Sequence, residues 1–394
     1  MRQVIKRIAI VWLTIVGCLG NANSALAQNY PHAPIALPGA TGEAEFHVLG
    51  DVAVITLRRD AGGVEPLRVI ETVNDALTVL ADRRLSFAWP ALLAWSGNDL
   101  TALRDRMVAR VRGAAEMGLP GSTPKGPSEY WNGNAAVTTM LQLSRALAHS
   151  GHRDEGMAVL RRGLAAAPKD VAGNLAREFL SIRLAGLLFA DGDPAAAIAL
   201  LEQESNNPLR DPEDRDNVDI NLAALLARAG SYQRALVLID QVWRHFGANV
   251  PVGDGVEGRP TRVPGSEAHF AWIRACALNG LGQREKARLL MDAITEDGPP
   301  TAVGALPTAM IARTNYFQCV GDGVGLAQEL AKEIDAAPPA SDVLLEVQPS
   351  YPDYAPDRAT LAVALRQPVL ITAIAARVRS LEPTFGDAVS GWTR

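Results

Sequence analysis

The sequence predicts a mainly α protein: an α-solenoid, or superhelix, of stacked helical hairpins with a small N-terminal β-hairpin. Three observations lead there. A Gly-centred turn, flanked by small and aliphatic residues at fixed offsets, recurs along the middle of the chain. The stretches between turns are rich in Ala and Leu, which favour helix. Near the start, two β-rich runs flank Gly50-Asp51, a pair suited to a tight hairpin turn.

The chain opens on a basic start, Arg2, Lys6 and Arg7, followed by an apolar run of 12 residues from Ile8 to Leu19 and the small-x-small triplet Ala25-Leu26-Ala27. This is the pattern of a secretory leader cleaved before Gln28, and the run is too short to span a bilayer. A second pattern overlaps it. Ile15-Val16-Gly17-Cys18 is similar to a lipobox, in which Cys18 would become a lipidated N-terminus and tether the protein to a membrane. The expected location is therefore periplasmic, with a membrane-anchored lipoprotein as the alternative. No later segment is long and apolar enough to span. Removing residues 1–27, with three basic and no acidic residues, takes the net charge from −5 to −8. That balance argues against broad nucleic-acid or anionic-lipid binding.

Residues 28–130 read as an N-terminal extension. The hairpin "AEFHVLGDVAVITLR" is followed by helical spacing at Val69, Val73, Leu77 and Leu80. Asn98 or Asp99 is then placed to cap a helix carrying Leu103, Met107 and Val111. "GLPGSTPKGP" breaks this unit from the repeats.

The repeats occupy 131–336. With Gly230 as the turn, Leu222, Ala223 and Leu226 precede it by eight, seven and four residues, and Ala235 and Ile239 follow by five and nine. Gly151 has Leu143, Ser144 and Leu147 before it and Gly156 and Leu160 after it at the same offsets. Gly192 has Leu184, Ala185, Leu188, Ala197 and Leu201. Gly282 has Ala275, Leu278, Ala287 and Met291, and a looser copy surrounds Gly321. Small residues near a turn let two helices cross closely. The aliphatic stripe that one hairpin cannot bury alone drives stacking on the next.

At these residues the chain resembles the tetratricopeptide repeat family, in which a small residue stands seven before the turn Gly and Ala five after it. The resemblance covers roughly residues 134–336. The turn spacings of 41, 38 and 52 residues exceed the family period of about 34, so an irregular superhelix is expected. The longest step holds the loop "GANVPVGDGVEGRPTRVPG". The resemblance further implies that the first helix of each hairpin lines a concave groove. The matching positions are Gln142, Arg145, Arg183, Asn217, Asn221, Arg228, His269, Trp272 and Asn279. Asn and Arg suit an extended peptide or a carboxylate, and Trp272 would anchor an apolar side chain.

Residues 337–394 contain the Pro-rich "QPSYPDYAPD" at 348–357, a rigid connector. Pro368 then opens a helix with Leu370, Ile374, Val378 and Leu381, expected to cover the last repeat.

Signatures of catalysis are missing. The chain holds no nucleophile elbow, no zinc-protease helix and no phosphate-binding loop. Gly253, Gly255 and Gly258 have dinucleotide-site spacing, but the surrounding prolines deny them the strand and helix such a site needs. His and Cys spacing offers no metal site and nothing calls for a cofactor. Cys276 and Cys319 are candidates for a disulfide or for two small buried hydrophobes. The reading is a non-catalytic periplasmic scaffold or assembly factor that binds a protein or peptide of the cell envelope. A periplasmic hydrolase acting on cell-wall material, with a helical-repeat body, is the alternative.

Overall fold

The computed structural model describes residues 31–37, 40–60, 62–98, 100–116, 127–149, 152–167, 171–208, 212–245, 263–264, 267–295, 308–348 and 357–381. The expected leader with both cleavage sites and Cys18, the turn residue Gly151, Asp99, the triple-Gly loop and nearly all of the Pro-rich connector lie outside these residues.

The molecule is a mainly α solenoid of stacked hairpins behind a small antiparallel sheet. The expected hairpin is β2 (Ala40–Leu49) and β3 (Val52–Arg59). Leu49 pairs with Val52 across Gly50-Asp51, and Gly50 takes a φ of 65°. Two further strands extend it, β1 (His32–Leu37) and β4 (Val64–Ile70), in the order β1-β2-β3-β4. Both are edge strands and both contain proline, Pro34 and Pro66. An edge tolerates the missing N–H that a central strand would not. Val69, read above as helical, belongs to β4. The first helix, α1 (Val73–Ala81), begins after Thr72, whose hydroxyl accepts from the Asp75 amide in a capping box. A 3-10 turn (Arg83–Ala88), α2 (Trp89–Trp95) and α3 (Thr101–Glu116) complete this part. Leu100, just before α3, stands in the left-handed region at φ 65°.

Five hairpins follow. Their first helices are α4 (Pro127–His149), α6 (Val171–Ala190), α8 (Pro212–Arg228), α10 (Ala268–Gly280) and α12 (Thr308–Val320). Their second helices are α5 (Arg153–Ala166), α7 (Pro194–Ser205), α9 (Tyr232–His245), α11 (Arg284–Asp292) and α13 (Gly323–Ala336). Gly192, Gly230, Gly282 and Gly321 all take φ between 76° and 88°, which an L side chain rarely adopts. At each, the following residue donates its N–H to the carbonyl five residues back, for example Ser231 to Leu226 at 2.8 Å and Gln283 to Leu278 at 2.9 Å. This is the helix-ending Schellman arrangement. The small residues sit at the crossings as expected: Ala185, Ala197, Ala223, Ala235, Ala275 and Ala287 are all fully buried. In the first hairpin a Cβ on Gly156 would come within 2.9 Å of the Ser144 carbonyl oxygen.

Each first helix packs on the first helix of the next hairpin, so these helices form the inner layer. A disulfide joins Cys276 on α10 to Cys319 on α12, with Cα atoms 6.0 Å apart. A short parallel pair, β5 (Val263–Pro264) with β6 (Ile294–Thr295), braces the fourth hairpin.

The two flanks, read above as an N-terminal extension and a cover for the last repeat, meet. After α13 come α14 (Val343–Glu346), α15 (Arg358–Ala364) and α16 (Pro368–Arg377). Pro368 opens α16 as expected, whereas Val378 and Leu381 lie beyond its end. One hydrophobic core runs from Phe46 and Ile55 of the sheet through Leu143 and Leu160 to Leu326, Leu344 and Leu370. A buried clasp seals it. Arg377 Nε lies 3.2 Å from Asp82 Oδ1, Arg377 also donates to the carbonyls of Ile334, Ala337 and Pro338, and the Ala340 N–H donates to Asp82. The superhelix thereby closes on its own N-terminal part.

Candidate partner-binding face

The inner helices place the nine candidate residues in two settings. Deep inside the curve, Arg145 on α4, Arg183 on α6 and Arg228 on α8 bring positive charge to bear on one carboxylate, Glu346 at the end of α14. Arg145 also bonds Asp342, and Arg228 Nε lies 3.4 Å from Asp357. Arg228 donates to Asn315 at 3.0 Å and stacks its guanidinium over the Trp272 ring, 5.3 Å from the centroid. Gln142 is half-buried nearby in sequence on α4, and its Oε1 has no hydrogen-bond partner among the described residues. The charges that the sequence assigns to a partner thus meet acids of the chain itself. Trp272 is 2% exposed, so it is a packed platform for Arg228 and not an anchor open to a partner.

The electrostatics follow from this crowding. Burial pushes the Glu346 carboxyl up to about 6, against the pull of the three arginines. Burial raises Asp357 too, against Arg228. Glu333 on α13, which accepts a hydrogen bond from Thr314 at 2.6 Å, is pushed up to about 7 by burial, with the charges of Glu346 and Glu329 acting in the same direction. A carboxyl at about 7 has the value a general acid needs, but Glu333 is 3% exposed and shut away from any substrate.

The second setting is open. His269 and Asn217 stand thirteen residues before their turn glycines and are exposed. The same offset in the other hairpins holds Thr138, Phe179 and Thr308, and all three are exposed, Phe179 at 41%. This row therefore runs along all five inner helices. Ile311, at the tenth position in the last hairpin, is 42% exposed. Asn217 donates to Glu178 at 2.6 Å, and Asn221 donates to the Asn217 carbonyl at 2.8 Å. The Trp272 indole N–H donates to His269 at 3.3 Å. Although the residue is exposed, its ring meets the buried Trp272 edge-on with centroids 5.6 Å apart, and loss of water on that side, aided by the Arg228 charge, lowers the His269 pKa to about 4, so it is neutral at pH 7. Asn279 is half-buried at the turn end of α10 and makes no hydrogen bond to the other eight.

Sequence reasoning missed Asn315, although it stands six before Gly321, the offset that Arg145 holds before Gly151. It also missed Phe179 and Ile311, which the same counting reaches. Asp342, Glu346 and Asp357 carry no such signal, because their partners lie on other hairpins; Arg145 and Asp342 are 197 residues apart. Among the described residues no group of three or more His, Cys, Asp or Glu side chains is placed to hold a metal ion.

Fold and site together define an α-solenoid with a self-neutralised charged interior and an exposed row along its inner helices. Neither a protein-family model, nor a curated protein sequence, nor a solved structure matches the chain.

Proposed function

We propose that this protein is a non-catalytic scaffold or assembly factor of the bacterial envelope, exported to the periplasm, that binds an extended segment of another envelope protein along its inner helices. The exposed row Thr138, Phe179, Asn217, His269 and Thr308 carries this reading. Packed helices lie about 8–10 Å apart, and an extended chain advances about 3.3 Å per residue. A bound segment would therefore present roughly every third residue to a new hairpin. The row is uncharged at pH 7, with one large aromatic, which suits peptide backbone and apolar side chains better than phosphate. The inner arginines then keep the superhelix closed. The Cys276–Cys319 bond supports an oxidising compartment, as does the leader pattern at residues 1–27. The glycine turns and small crossings support the tetratricopeptide-like reading of the hairpins.

The test is capture of partners from an envelope extract by the Phe179→Asp protein. Capture should fall at least tenfold while circular dichroism stays unchanged. Equal capture by the folded variant would refute the assignment of this row.

A further inference from the structure

The far end of the superhelix carries a second surface, distinct from the inner row. The outermost repeat of a solenoid needs a polar outer face to stay soluble. Here the outward positions of α16 are Pro368, Val369, Ile371, Thr372, Ala375 and Ala376, none of them charged. Val369 is 48% and Ile371 50% exposed. Spacings of three and four residues link Val369 to Thr372 and Ala376, and Ile371 to Pro368 and Ala375, so the two aliphatics stand at opposite edges of one broad uncharged face. Val363 of α15, 47% exposed, overlies Gly323, and Val324 of α13 is 52% exposed; α15 and α16 both pack on α13. A single exposed aliphatic is ordinary; four on α13 and the two helices packed against it, with no charge on the exposed face of α16, are less so.

Charge tells what fits it. In a chain of net charge −5, the stretch from Arg358 to Leu381 holds four arginines and no acidic residue. Arg377 is buried in the clasp, Arg358 reaches the Ala190 carbonyl and Arg379 lies over Trp89. Arg366, at the corner between the two helices, is exposed and has no ion pair among the described residues. No single helix among the described residues is long and apolar enough to cross a membrane; α15 and α16 reach that composition only together, bent by 81°. Leu361, Ala364, Leu370 and Ala373 are committed to the core, so the pair can lie on a bilayer but not span it.

We propose that the outer face of α15 and α16 docks on an anionic phospholipid surface, with Val363, Val369 and Ile371 entering the headgroup boundary and Arg366 meeting lipid phosphate. This orientation would leave the inner helices free for a protein partner.

The test uses the protein recovered after processing, its N-terminus fixed by mass spectrometry. It is mixed with vesicles of phosphatidylethanolamine and phosphatidylglycerol at 7:3, and separately with phosphatidylcholine alone. Hydrogen exchange across residues 363–376 should slow with the anionic vesicles and not with the neutral ones, whether or not an acyl chain tethers the N-terminus. Ile371→Asp should abolish that protection; Thr372→Glu, at an exposed hydroxyl, serves if the first variant melts early. Unchanged exchange in the presence of anionic vesicles would overturn the proposal. So would a wild-type dimer that Ile371→Asp converts to monomer in light scattering, because a second copy would then cover the face.

Discussion

At the scale of single residues, Glu346 shows how the interior charges are balanced. Three guanidiniums favour its ionised form, yet burial holds its carboxyl at about 6, and Glu333 beside it reaches about 7. Both carboxyls bind a proton more tightly folded than unfolded, where 4.5 is ordinary. Their stabilising contribution is fully present below about pH 4.5 and is lost as pH rises through about 6 and 7. His269 runs the other way: with a folded pKa of about 4 against 6.5, its contribution is present above pH 6.5 and lost as pH falls through 4. Between pH 8 and 6.5 the carboxyls dominate, so the melting temperature should rise as pH falls across that window. Glu333→Gln should flatten the rise, and calorimetry at several pH values measures it. A profile that falls toward pH 6.5 would contradict the placement of these acids. The inner arginines were legible in the sequence because each stands at an offset from its turn Gly, six, nine or two residues, that the resembling family assigns to the inner helix face. The acids facing them were not, because nothing local relates residue 145 to residue 342.

At the scale of elements, the hairpin crossing is the unit of stability. Ala235 is fully buried where α8 and α9 cross, whereas Ala229 is exposed beside the turn. Ala235→Leu should cost about 1–3 kcal/mol through overpacking, and Ala229→Leu should cost clearly less. Thermal melts of the two variants followed by circular dichroism make the comparison, and equal effects would contradict the assigned crossing. Hairpins and turns were readable because Gly, small residues and aliphatics act within one or two helical turns of each other. The central strands β2 and β3 were readable from their β-rich runs. The edge strands β1 and β4 were hidden by Pro34 and Pro66, which lower the local β signal while an edge position tolerates them. Val69 was misread for a related reason: its spacing to Val73 is helical, but the helix starts only at the Thr72 cap.

At the scale of the whole molecule, closure is the property that local pattern does not contain. The shared core and the Asp82–Arg377 clasp join residues 295 apart in sequence. Asp82 is fully buried, and burial raises its carboxyl against the opposing pull of Arg84. Asp82→Ala strands the buried Arg377 and should cost about 3–5 kcal/mol, with faster hydrogen exchange across α16. Arg288→Ala, which removes an exposed pair with Glu285 and Asp292, should leave the melt unchanged. A closed superhelix holds its inner helices in fixed relation, so the exposed row can act as one continuous surface for a partner.

That continuity is tested most directly by site-specific photo-crosslinking in living cells. A photoreactive residue at Phe179, Asn217 or Thr308 should capture the same envelope protein from all three positions, and one at the exposed Val237 on α9 should not. Capture at Val237 alone, or of unrelated proteins at the three row positions, would contradict the account.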